Sequence, residues 1–222
     1  MFLDSDDTLP PNAIETMYSL ANSNNCEIVA GSHDGLYNGI ITRPVRWKSK
    51  KYDRGVDFLA DSIAVNNFYL WGKLFHKELF NKEIIYGDSN YGEDGIFLIQ
   101  ILKDANAVIT TNTVVYNYRL RDDSLTSSPS TKLFMDRYRS SLFIYNYVVA
   151  NFSNKHVKNI VESYFIYQVY KMLIDCGDAF ISKYRAPVFS VDMLRNNKKN
   201  ILKKSFLAYY ILSVYAHHPQ IW

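Results

Sequence analysis

Two periods of apolar and polar positions run along this chain, a mixed α/β pattern in the first part and a helical one in the rest. Met1 to Leu3 reads as the end of a buried strand. Pro11 suits the first turn of a helix whose Ile14, Met17, Leu20 and Ala21 share one face. A strand is predicted over Cys26 to Ala30, a turn over His33 to Asn38, and another strand over Leu36 to Thr42. Val56 to Val65 predicts a helix with Phe58, Leu59 and Ile63 facing inward, and a loop-rich stretch follows from Asn66 to Gly92. Glu93 to Lys103 is an amphipathic helix whose first-turn acids suit the positive end of the helix dipole. Two short strands are predicted at Ala107 to Thr110 and Thr113 to Arg119. From Leu133 onward, residues such as Tyr138, Leu142, Tyr145 and Val149 recur at helical spacing. The expected organisation is an α/β domain over 1–130 and a helical tail over 131–222.

Composition narrows the class without changing it. With 222 residues, 48% hydrophobic and 21% charged, the chain can bury one sizeable core and a helical appendage. A net charge of +3 gives no argument for nucleic acid. The clusters Lys48, Lys50, Lys51 and Lys198, Lys199, Lys203, Lys204 read as solvated surface. Cys26 and Cys176 are isolated thiols with no metal-ligand spacing, as expected of a cytoplasmic, reducing compartment. The longest apolar run, Phe206 to Ala216, is shorter than the ~20 residues of a membrane span. Tyr209, Tyr210, Tyr215 and Trp222 beside Lys203 and Lys204 suit either core packing or a peripheral contact with a membrane surface.

The chemistry-bearing phrase is FLDSDDTLPP, residues 2 to 11. Asp4, Asp6 and Asp7 follow a short apolar run, a hard-oxygen set suited to Mg²⁺ or Mn²⁺. An acidic cap before a proline-started helix accounts for the same letters. FLDSDDTL resembles the opening motif of haloacid-dehalogenase-type phosphatases. That resemblance implies Asp4 as nucleophile, Asp6 as general acid and base and Thr8 as support, with Lys73 and a distal acidic pair beginning at Gly87-Asp88. The second acid, Glu93 or Asp94, then falls later than the distal motif's spacing allows.

Five segments in order resemble the family 2 glycosyltransferases of the GT-A fold. They are FLDSDDTLPPNAIETM, CEIVAG, WGKLFHKELF from Trp71 to Phe80, GEDGIF from Gly92 to Phe97, and YNYRLRDDSLTSS from Tyr116 to Ser128. The resemblance covers about the first 130 residues and implies an α/β GT-A sandwich followed by a helical region. It implies transfer of a sugar from a nucleotide-diphosphate donor to a saccharide or glycolipid acceptor, with inversion and with Mn²⁺ or Mg²⁺. Asp4 and Asp6 match the metal-binding pair, Asp6 as the direct ligand, and Asp7 is expected to hydrogen-bond the neighbouring loop or the sugar. Asp94 matches the catalytic base and Glu93 an acceptor-orienting acid. Trp71 is a candidate sugar platform, Lys73 a candidate diphosphate contact, and Arg119 and Arg121 candidate clamps on the leaving group.

One departure is large. In the family the acidic motif lies mid-domain, after strands that bind the nucleotide base and ribose, whereas here it begins at residue 4. The expectation is a truncated or split catalytic domain, or a miscalled start, that binds donor poorly and is inactive alone; the alternative is a non-catalytic fragment that contributes only its helical tail to a partner or membrane.

Overall fold

The computed structural model describes residues 1–86, 91–122, 130–183, 191–199, 201 and 206–217, with side chains throughout except at 176–183, 206 and 207. Readings at Gly87, Asp88, Asp123 to Ser128, the Cys176 thiol, Lys203, Lys204, His218 and Trp222 lie outside the described residues. The chain forms two compact units, one of Met1–Ile85 with Phe97–Ser128, the other of Tyr86–Ile96 with Pro129–Trp222.

The first unit is a mixed α/β structure, the class the sequence predicts. Its elements are α1 (Ala13–Asn24), β1 (Ile28–Tyr37), β2 (Ile40–Val45), β3 (Lys50–Tyr52), α2 (Gly55–Ala64), β4 (Lys73–Phe75), α3 (Glu93–Asp104) and β5 (Val108–Arg119). The division between the units falls within α3. β1 is central: β5 runs parallel along it, β2 and β4 pair antiparallel with its two halves, and β3 closes the far side of β5. Val29, Val115 and Tyr116 of the sheet pack with Ala13 and Met17 of α1 and with Trp71. α2 buries Phe58, Leu59 and Ile63 as its periodicity predicts.

Four expectations need correction. His33 to Tyr37 is not a turn but the continuation of β1, because neighbours satisfy its polar groups. The Arg46 guanidinium donates to the His33 carbonyl at 2.8 Å and pairs with Asp34. The reversal comes at Asn38-Gly39, where both residues take left-handed backbone (φ 50° and 80°), the geometry an Asn-Gly hairpin favours. The two short strands after Ala107 are one strand, since register shifts beside Ser32 absorb the polar Thr111 to Thr113 break. On α1 the inward face starts from Ala13 and Met17, which leaves Ile14, about 100° round the helix, largely exposed. Met1 to Leu3 is not a buried strand end: Phe2 makes a single bridge to Trp71, and Phe2 and Leu3 are exposed.

In the second unit, α4 (Thr131–Asn151), α5 (Lys155–Lys183), α6 (Val191–Asn196) and α7 (Phe206–His217) share a core that includes Tyr138, Phe165, Val169, Leu194 and Tyr215. Ser130 caps α4 by accepting the Leu133 N–H at 3.1 Å. α7 spends Tyr215 on this core and leaves Tyr210 exposed. Among the described residues no helix is long and apolar enough to cross a membrane.

Candidate functional site

The acidic phrase folds as a tight turn fastened to the end of β5. The Asp7 N–H donates to the Asp4 carbonyl at 3.2 Å, and Thr8 pairs in both directions with Asn117, at 3.2 and 2.9 Å. Pro10 and Pro11 then end the extended segment, and α1 begins at Ala13.

The three aspartates have different surroundings. Asp7 is buried, and its carboxylate accepts the Tyr116 hydroxyl at 2.8 Å and the Arg119 N–H at 2.7 Å. Burial pushes its carboxyl above the usual range despite both hydrogen bonds. Asp4 is exposed at the turn's edge, although its N–H donates to the Tyr116 hydroxyl at 3.2 Å. Its carboxyl is also raised, first by desolvation and then by the charges of Asp7 and Asp6. Asp6 is half-buried and meets the Arg121 guanidinium at 2.9 Å. Asp7 thus bonds β5, through the Tyr116 hydroxyl and the Arg119 N–H.

A cavity of about 580 Å³ opens beside Asp6, lined by Thr8, Leu36, Tyr37, Asn38, Gly39, Asn117 and Arg119 to Asp122. Its far wall is held in place by the Leu120 N–H on the Leu36 carbonyl, 2.7 Å, and the Tyr37 hydroxyl on Asp122, 3.1 Å. The Arg119 and Arg121 side chains are exposed there. The volume is that of a small-molecule pocket.

Trp71 and Lys73 lie deeper than a binding platform would. Trp71 is buried, with Tyr69, Tyr116 and Tyr118 stacked about it at centroid distances of 4.3, 4.6 and 5.4 Å. The Lys73 ammonium is buried and donates at 2.6 Å to both the Asn67 side chain and the Tyr69 carbonyl. Trp71 thus supports Tyr116, and through it the acidic turn.

Glu93 and Asp94 form the first turn of α3 within the second unit, Glu93 exposed and Asp94 half-buried. That turn is held to α4 just ahead of it. The Ser140 hydroxyl donates to the Tyr91 carbonyl, and Arg137 donates to the Tyr91 hydroxyl at 3.0 Å with its guanidinium over the ring. Gly92 has φ 82°, and a Cβ there would lie 2.9 Å from that of Ser140, so the approach requires glycine.

Tyr116, Tyr37, Tyr91, Ser140 and His33 escaped the sequence reading. Two carried a signal: Tyr91 by its position just before GED, and Tyr116 as the first residue of the YNYRLR segment. His33 stands edge-on to Trp71 at 4.7 Å, and burial with the nearby Lys73 and Arg46 charges lowers its pKa to about 4. The folded chain thus binds this proton more weakly than the unfolded chain, whose histidine has the ordinary value of 6.5. Stability from His33 is full above pH ~6.5 and drains as pH falls toward ~4, by at most about 2 kcal/mol at pH ~5. Urea unfolding of wild type and His33→Gln at neutral pH and near pH 5 should show a smaller acid loss in the variant; equal losses would refute this.

Asp4 and Asp6 fit Mn²⁺ or Mg²⁺ in donor type. Both are hard carboxylates on the acidic turn, Asp6 lining the cavity, and such ions are often held by one or two carboxylates plus substrate phosphates. Among the described residues no group of three or more His, Cys, Asp or Glu is arranged to hold a metal by itself.

No protein-family model matches the chain. It is similar to the glycosyltransferase GlyA of Streptococcus pneumoniae serotype 4, 28% identical over 135 residues. That match covers 56% of this chain and 19% of the relative, so the chain spans about a fifth of the relative's length. Its fold is similar to that of S. aureus TarS 1-349, with TM-score 0.58 at 14% identity over 80% of this chain and 48% of that one. The same protein in complex with UDP-GlcNAc gives 0.58 at 13% identity, covering 90% and 56% of the two chains. Its complex with UDP gives 0.57 at 12%, covering 99% and 66%. The α/β architecture with its helical region is that of part of the TarS chain. The match to the glycosyltransferase GlyA does not favour the phosphatase alternative.

Proposed function

We propose that this chain is part of a metal-dependent, inverting glycosyltransferase of the family 2 type, moving a sugar from a nucleotide-diphosphate sugar to a saccharide or glycolipid acceptor. The observation that carries the reading is the acidic turn. Asp6 faces a cavity that also presents Arg119 and Arg121, on a fold shared with a protein crystallised with UDP-GlcNAc. A bound Mn²⁺ or Mg²⁺ would offset the negative charge that grows on the diphosphate as the sugar leaves.

The chain's own groups divide the remaining work. Asp4 and Asp6 hold the ion, and Arg119 and Arg121 pair with phosphate oxygens, two charge-assisted contacts suited to a diphosphate. Asp94 takes the proton of the acceptor hydroxyl as that oxygen attacks the anomeric carbon, and Glu93 orients the acceptor. Tyr116 and Trp71 act by positioning, since Tyr116 is buried beneath the turn and Trp71 is stacked on it, and the buried Lys73 holds the Asn67 to Tyr69 segment. Peripheral contact with the inner face of the cell membrane through the C-terminal helices completes the proposal, with Tyr210 as the outward aromatic.

The test is Mn²⁺-dependent binding of UDP or a UDP-sugar by calorimetry. Metal-independent binding, or none, refutes the reading. Asp94→Asn should lower transfer by about 10²-fold, as loss of a general base does, with donor binding unchanged. Weakened donor binding would instead assign Asp94 to the donor.

A further inference from the structure

Arg121 and a divalent ion make opposing claims on one carboxylate. The guanidinium lies 2.9 Å from Asp6, and neither side chain is buried, so the pair sits at the cavity where solvent and ligand reach it. The backbone beneath Arg121 is fixed on both sides. The Arg119 N–H is bound to Asp7 and the Leu120 N–H to Leu36, each at 2.7 Å, and Asp122 is tied to Tyr37. Arg121 is therefore presented to Asp6 by a fixed segment, at the lining of the cavity.

We infer that Arg121 is an internal cation for Asp6, and that it couples metal binding to diphosphate binding; this rests on the metal-dependent reading above. Without donor, the guanidinium neutralises Asp6, and a divalent ion can use that carboxylate only by displacing it or by accepting a like charge beside it. A diphosphate changes the balance because it offers the guanidinium two parallel N–H···O contacts of its own. Arg121 then leaves Asp6 for phosphate, and the carboxylate is available to the ion. Linkage makes this reciprocal: whatever factor UDP adds to Mn²⁺ affinity, Mn²⁺ adds to UDP affinity. The consequence is that donor and metal load together, and neither alone fills the site well. The competition does not depend on the nucleoside part of the donor, since all of its members lie on the acidic turn and the end of β5.

The measurement is Mn²⁺ binding by electron paramagnetic resonance to wild type, Arg121→Gln and Arg121→Lys, without nucleotide and with saturating UDP, corrected for the Mn–UDP complex. Without nucleotide, Arg121→Gln should bind Mn²⁺ about 2- to 5-fold more tightly than wild type, the range an exposed ion pair supports. UDP should raise Mn²⁺ affinity in wild type and in Arg121→Lys by a clearly larger factor than in Arg121→Gln. If Arg121→Gln binds Mn²⁺ no more tightly than wild type, or UDP raises affinity equally in both, the coupling role of Arg121 is wrong while metal-dependent binding stands. If no variant takes up Mn²⁺ with or without UDP, the metal-dependent reading falls together with the inference.

Discussion

Replacing Asp6 by asparagine is expected to abolish metal-dependent donor binding and to lower sugar transfer by about 10³-fold, the cost of losing several kcal/mol of charge stabilisation on the leaving diphosphate. The fold should survive. Asp6 is half-buried and its ion pair with Arg121 lies in solvent, where such pairs contribute ~0–1 kcal/mol. An unchanged melting temperature beside lost binding therefore separates a ligand role from a structural one. Asp4→Asn should have the smaller effect, because Asp4 lies at the exposed edge of the turn and its backbone N–H, not its carboxylate, meets Tyr116. Calorimetry of UDP with and without Mn²⁺ on the two variants decides the order. A larger loss in Asp4→Asn would make Asp4 the principal ligand and leave Asp6 as the partner of Arg121.

The helices were the easiest part of this fold to foresee. α2 and α3 carry one apolar face each, and the 3.6-residue period survives whatever packs against it. β1 was harder, because His33, Asp34 and Gly35 are turn-forming letters whose strand conformation depends on Arg46, twelve to thirteen residues on. Local propensity cannot register a partner that arrives through tertiary pairing. The acidic phrase itself was visible from spacing and resemblance, and so was the helix start bearing Glu93 and Asp94. The division of labour among the aspartates was not. Asp7 differs from Asp6 by one position, yet one is buried under two hydrogen bonds and the other opens on a cavity, a difference made by Tyr116 and Arg119 more than a hundred residues away. Tyr116 is one of 18 tyrosines, and nothing in its local sequence marks it as the residue beneath the turn.

Removing that support should damage stability and binding together. In Asp7→Ala the Tyr116 hydroxyl and the Arg119 N–H both lose their acceptor, and Tyr116 is fully buried. Each orphaned donor costs about 1–3 kcal/mol, so the variant should lose roughly 2–6 kcal/mol, enough to lower its melting temperature by several degrees or more. Asp7→Asn should be milder: its carbonyl oxygen can keep the Arg119 N–H while its amide turns to donate to the Tyr116 oxygen. Tyr116→Phe isolates the other half of the arrangement, because it keeps the ring stacked on Trp71 and Asp7 bound to Arg119 but takes the acceptor from the Asp4 N–H. It should cost about 1–2 kcal/mol and weaken Mn²⁺-dependent UDP binding by loosening Asp4 and Asp6, although Tyr116 meets Asp4 only at its backbone N–H. The decisive comparison is denaturant unfolding against calorimetric Mn²⁺ and UDP affinities across the three variants. If Tyr116→Phe loses stability but binds both as wild type does, the turn does not need its tyrosine anchor to present the metal-binding pair. If binding falls in step with the strain placed on the turn, Asp7 and Tyr116 belong to the site as much as the two carboxylates they position.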